Sequence, residues 1–96
     1  MADYNKALKI DPKCQYAYNG RAWLRYKAGK YSEALADAQR AIHLLPENPG
    51  NWDMRGHILE ALGRRDQAIA DFRHALVFSP DVPSPKAALK RLGASP

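Results

Sequence analysis

The chain has 96 residues, enough for one small domain, and its 46% hydrophobic and 26% charged residues give the balance of an ordinary soluble globular protein. The net charge of +5 comes from 15 basic residues spread along the sequence, with no run longer than the pairs Arg64-Arg65 and Lys90-Arg91, which argues against a nucleic-acid surface, where basic residues gather on one face. No apolar run approaches the roughly 20 residues of a membrane span, the first dozen residues are too charged for a secretory leader, and the lone Cys14 cannot close an internal disulfide, so the expected location is cytoplasmic.

The first element is residues 1–12, MADYNKALKIDP. Ala2, Asp3, Ala7 and Pro12 return as Ala36, Asp37, Ala41 and Pro46, and again as Ala70, Asp71, Ala75 and Pro80, 34 residues apart each time. These residues therefore read as the second helix of a unit whose first helix is missing, with Tyr4, Ala7 and Leu8 as its packing face. Either the chain is an excised piece of a longer repeat array, which is the preferred reading, or another molecule supplies the missing helix.

The unit 13–46 follows. A helix is expected near Gln15–Ala28, then a turn at Gly29. Ser32 would cap a second helix that buries Ala34, Leu35, Ala38, Ala41, Ile42 and Leu45. The unit 47–80 repeats the plan. Asn48-Pro49 offers an N-cap followed by proline at the first helical position. Trp52, Gly56, Leu59 and Leu62 recur at helical spacing, and Gly63 suits the left-handed residue that ends a helix. Asp66 would cap a helix burying Ala68, Ile69, Phe72, Ala75 and Leu76. In residues 81–96, Ser84-Pro85 opens a short helix ended by Gly93. Its Ala88, Leu89 and Leu92 would lie against the preceding unit, with Lys86, Lys90 and Arg91 toward solvent.

Laid on 47–80 without gaps, residues 13–46 pair Arg21 with Arg55, Gly29 with Gly63 and Ala34 with Ala68, beside conservative pairs such as Tyr18/Trp52 and Ile42/Leu76. Trp52, Gly56, Ala68, Phe72 and Pro80 fall at the places of the motif W-x2-L-G-x2-Y…A-x3-F…P, so the chain resembles the tetratricopeptide repeat. It departs from the motif at Arg55 and Leu59, and in the first unit most of all at Arg25, which should loosen that unit's packing. The resemblance implies an all-α fold: a right-handed solenoid of stacked antiparallel helical hairpins. It would comprise about two and a half repeats, the half being residues 1–12, and a C-terminal capping helix with a solvated outer face.

No constellation in the sequence carries chemistry. His43, His57 and His74 have no metal-ligand spacing, and there is no glycine-rich phosphate loop, nucleophile elbow or CxxC pair. Cys14 lies near a predicted helix start without a partner cysteine. No catalytic, cofactor or metal site is expected.

The resemblance implies binding through the concave surface that the first helix of each unit lines. At about 100° per residue, Tyr16, Asn19, Trp23, Tyr26 and Lys27 share that face in the first unit. Gly50, Asp53, Met54, His57, Glu60 and Ala61 share it in the second, and Tyr18 and Trp52 would be core. Aromatic residues suit such a groove, because they give large contact area at low entropy cost. Some family members grip chaperone C-terminal carboxylates with a Lys, Asn and Arg clamp. The corresponding places here hold Asn19, Trp23, Gly50 and Met54, which disfavours that ligand. The expected function is a protein-interaction module that binds a peptide or partner segment. The alternative is homo-oligomerisation through Tyr4, Ala7 and Leu8, with RNA binding third. The recurrence of Arg21 and Arg55 with Asp3, Asp37 and Asp71 suggests structural ion pairs: Arg21 with Asp3 or Asp37, and Arg55 with Asp37 or Asp71.

Overall fold

The structure, a computed structural model, describes residues 2–11 and 13–94, with side chains from residue 4 onward apart from residue 12. Six helices follow one another among the described residues: α1 (Ala2–Ile10), α2 (Gln15–Lys27), α3 (Tyr31–Leu44), α4 (Pro49–Ala61), α5 (Arg65–Phe78) and α6 (Pro83–Arg91). Helices α2 and α3 form one antiparallel hairpin and α4 and α5 another. The second hairpin stacks on the first through α3 and α4, α1 flanks α2, and α6 packs on α5. The result is elongated, 40 × 26 × 17 Å, an all-α helical repeat solenoid. No helix among the described residues is long and apolar enough to cross a membrane.

Both hairpins turn in the same way. Gly29 and Gly63 have φ of +79° and +80°, a region that only glycine enters without strain. Lys30 N donates to Arg25 O at 2.8 Å and Gly29 N to Tyr26 O at 3.0 Å, and Arg64 and Gly63 repeat both bonds with Leu59 and Glu60. This paired pattern satisfies carbonyls that a helix end leaves free. Gly93, with φ of +74°, closes α6 by the same device.

The turn explains three corrections to the expected caps. Ser32 and Asp66 do not cap α3 and α5, which start earlier from Lys30 and Arg64 with no side-chain cap bond. The residue after each turn glycine leads straight into helix, its carbonyl already accepting from Ala34 N or Ala68 N. Ser84 likewise is not a cap, because α6 begins at Pro83 behind Val82. At α4 the sequence signal holds: Asn48 Oδ1 accepts from Gly50 N at 2.9 Å with Pro49 in the first turn.

The core runs along the solenoid in two adjoining clusters. Ala22, Ala34, Ala38, Met54 and Ile58 join α2, α3 and α4, while Leu59, Ala68, Ile69, Phe72, Leu76, Ala88 and Leu89 join α4, α5 and α6. Close approach decides the second. A Cβ on Gly56 would lie 2.7–2.9 Å from the Phe72 ring, so only glycine lets α5 seat that ring fully. Each buried aliphatic or aromatic side chain of this size contributes about 1.5–3 kcal/mol.

Arginine–aspartate pairs tie the helices of each hairpin. Arg55 meets Asp71 through Nε at 2.8 Å and Nη2 at 2.9 Å. Arg21 meets Asp37 through Nε at 2.9 Å and Nη2 at 2.7 Å, and its Nη1 reaches Asn5 Oδ1 on α1. The hydrogen bonds to Asp37 raise the Arg21 pKa above the ordinary arginine value, against an opposing effect of burial. The Asp3 side chain lies outside the described residues. Arg25 adds a third bond to Asp37 at 2.9 Å, so the residue expected to loosen the first unit is held by the same carboxylate. Tyr18 and Trp52 are half-buried, not core: Arg21 lies over the Tyr18 ring, and Trp52 sits against Arg55 and stacks on His74 at 3.9 Å. Both rings cover these ion pairs from outside, and the Trp52 indole N–H reaches Pro46 O at 2.7 Å.

Candidate functional site

The surface lined by α2, α4 and α6 gathers most of the residues that the helical spacing assigned to a groove. On α2, Tyr16 is 74% exposed and Trp23 36%, Lys27 is exposed, and Asn19 and Tyr26 are half-buried. Trp23 meets the edge of Tyr26 at 5.8 Å and leans toward His57 of α4 at 6.2 Å. His57 in turn touches the edge of the buried Phe72 ring at 5.0 Å. The aromatic surface is therefore tied to the core through His57 on Phe72 and through Tyr26, which packs against the cluster of Ala22, Ala34, Ala38, Met54 and Ile58.

Helix α4 contributes less open surface than its spacing implies. Met54 is fully buried among Ala22, Ala34, Ala38 and Ile58, so its side chain takes no part in a groove. An end helix has one neighbour along the stack, whereas α4 lies between the first hairpin and α6 and buries a wider arc. Asp53 is 9% exposed and accepts twice from Ser84 Oγ of α6, at 2.9 and 3.1 Å. His57 Nε2 lies 3.3 Å from Asp53 Oδ1 and 3.2 Å from Ser84 Oγ. Glu60 is bound by Arg91 of α6 through both guanidinium arms, one at 2.9 Å. The bond to Arg91 holds the Glu60 carboxyl below its ordinary value, with burial opposing and His57 adding slightly.

Beneath this surface runs an amide relay that the sequence did not announce. Asn51, fully buried, donates from Nδ2 to Gln15 Oε1 at 3.0 Å and toward the backbone carbonyls of Ala41 and Leu45 at 3.2 and 3.3 Å. Its Oδ1 accepts from Asn19 Nδ2 at 2.8 Å. Since carbonyls only accept, the orientation of Asn51 is fixed, and that fixes Asn19. Gln15 Nε2 is the single buried side-chain donor without a partner among the described residues. Asn51 aligns with Ala17 in the preceding unit, so nothing recurrent marked it.

Elsewhere, a cavity of about 280 Å³ lies between α3, α4 and α5, lined by Gln39, Arg55, Leu59, Arg64 and Asp71 among others. Its inner arginine is already paired with Asp71. Among the described residues, no group of three or more His, Cys, Asp or Glu is placed to hold a metal ion.

Residues 15–48 and 50–81 each match the tetratricopeptide repeat family. The chain belongs to that family. It is 36% identical over 77 residues to tetratricopeptide repeat protein 28 of Mus musculus, a match that takes in 80% of this chain and 3% of that protein. The chain thus spans a small fraction of that relative. Among solved structures, the Arabidopsis OM64 TPR domain superposes with a TM-score of 0.90 at 33% identity, covering 94% of this chain and 74% of that one. The second TPR domain of human RPAP3, solved in complex with the HSP70 peptide SGPTIEEVD, gives 0.88 at 25% identity, covering 96% and 77%.

Proposed function

We propose that the chain is a cytoplasmic protein-interaction module, an adaptor or scaffold segment without chemistry of its own, that holds a peptide or partner segment on the surface lined by α2, α4 and α6. The observation that carries this reading is Trp23: a large aromatic side chain left 36% exposed between Tyr26 and His57, where truncation of such an anchor weakens binding more than folding. The related RPAP3 domain, which holds an HSP70 peptide, supports a peptide as the ligand class. An acidic chaperone tail is not the ligand on this reading, because the clamp places hold Asn19, Trp23, Gly50 and the buried Met54.

Trp23→Ala is expected to weaken the binding of a selected peptide about tenfold or more while shifting the melting temperature by only a few degrees. A collapse of the melting temperature would make Trp23 a core residue and remove the anchor. Isothermal titration with an acidic chaperone-tail peptide should give no heat; micromolar binding would overturn the exclusion.

A second reading, self-association, is favoured by one observation: Ile10 is 77% exposed on α1, beside half-buried Tyr4, Ala7 and Leu8. Helix α6 of another copy is a poor mate for that face, since Lys86 and Lys90 stand where α4 has Trp52 and Gly56. Sedimentation equilibrium over a hundredfold range of concentration tests the reading. A mass of 10.7 kDa throughout removes it.

A further inference from the structure

Three aspartates are buried among the described residues: Asp37, Asp53 and Asp71. Asp37 is met by Arg21 and Arg25, and Asp71 by Arg55. Asp53 has no arginine or lysine within ion-pair distance among the described residues. Its partners are the Ser84 hydroxyl and the His57 imidazole. Withdrawing a carboxylate from water without a permanent counter-charge is unfavourable, and a cation brought beside it recovers that cost. The side chain of Asp53 keeps 13% exposure, an edge that a ligand can reach.

The amide relay biases the same surface in the same direction. With Asn19 Nδ2 committed to Asn51 Oδ1, Asn19 Oδ1 is left as an acceptor open to solvent, outside the buried unpartnered set. Turning the amide over would set two donors or two acceptors against each other, because Asn51 is held by Ala41 O and Leu45 O. The surface around Trp23 therefore offers an acceptor at Asn19 and a negative charge at Asp53. The other carboxylate, Glu60, is already neutralised by Arg91. Lys27 opposes this bias from an exposed position, where solvent and salt screen it.

We infer that the groove takes a basic segment, in which an arginine or lysine side chain meets Asp53, a donor meets Asn19 Oδ1, and an apolar neighbour packs on Trp23. This rests on the concave-surface reading above and reverses the charge of the ligand that the family's carboxylate clamp takes. Charge complementarity sets the class: a donor-rich cation satisfies Asp53 and Asn19 together, whereas a carboxylate would face acceptors at both.

The test uses the intact chain and three pools of end-blocked decapeptides of equal apolar content. Their charged positions carry Arg and Lys, Asp and Glu, or neutral Ser and Gln. The basic pool should bind, and its best peptide should weaken about tenfold or more with Asp53→Asn and several-fold as salt is raised from low to physiological. Asp53→Asn also touches Ser84 and His57, so Lys27→Glu provides an independent variant: exposed and outside the core, it should tighten the same peptide several-fold. Selection from the acidic or the neutral pool, weakened by Trp23→Ala, overturns the basic-segment inference and leaves concave binding standing. Binding of any pool that is indifferent to Trp23→Ala, or binding of none, overturns both.

Discussion

Phe72→Ala is expected to lower the free energy of unfolding by about 3–5 kcal/mol. The ring is fully buried and belongs to the cluster that joins α4, α5 and α6, so its loss opens a cavity at the junction of three helices. A domain of this length has about 5–15 kcal/mol in all, and each kcal/mol moves the melting temperature by about 4–8 °C. A fall of about 12–40 °C should follow, read by circular dichroism, with α6 the first helix released. Gly56→Ala probes the same contact from the other side. Its new Cβ would meet the ring at 2.7 Å, and a fully buried ring has nowhere to yield, so a cost of about 1–3 kcal/mol is expected. Combining the two should cost less than the sum, because removing the ring removes the clash. Additive losses would mean that Gly56 and Phe72 do not oppose each other, and would undo this account of why α4 carries a glycine there.

Much of the fold was legible because the repeat states it three times. Apolar residues at fixed offsets declared the helices and the apolar part of the buried face of α5, Ala68, Ile69, Phe72, Ala75 and Leu76, to which the structure adds Asp71. Gly29, Gly63 and Gly93 declared the turns. Recurrence of both members with the period narrowed the ion pairs to two aspartates for each arginine, and the structure selects Asp37 for Arg21 and Asp71 for Arg55. What the sequence concealed lacked either recurrence or a local cause. Ser32 and Asp66 carry the chemistry of caps, yet two-residue turns hand the helix start to Lys30 and Arg64. Met54 lies on the groove side of α4 by helical spacing, but its burial depends on what flanks that helix, which no single-helix pattern records. Asn51 has no counterpart in the other units, where Ala17 and Pro85 take its place. Its role comes from four partners on α2, α3 and the loop after α3, brought together only by the stacking of hairpins. The engagement of Asp53 and Glu60 by α6 was hidden in the same way, because Ser84 and Arg91 were read as belonging to a solvated cap.

Asp37→Ala should destabilise the chain more than Asp71→Ala, although the two residues hold equivalent places. Asp37 is met by two arginines whose side chains are only 18% and 22% exposed, while Asp71 is met by one. Removing a buried carboxylate leaves its partners as uncompensated charges, at a cost of 3–5 kcal/mol for a fully buried pair. Residual solvent contact of the guanidinium groups reduces this to about 2–4 kcal/mol for Asp37 and about 1–3 kcal/mol for Asp71, read from urea unfolding at constant m-value. A control separates charge from packing. Arg25 occupies the place that Leu59 fills in the next unit, and Arg25→Leu leaves Asp37 its bidentate partner Arg21. That substitution should be neutral or stabilise by up to about 1 kcal/mol, since a well-packed apolar side chain replaces half of a costly ion cluster. It should also shrink the gap between Asp37→Ala and Asp71→Ala when the two are remeasured in its background. If the gap persists, the second arginine is not its source. The greater weight of Asp37 would then lie in the link that Arg21 makes to Asn5 and α1, which the second hairpin lacks.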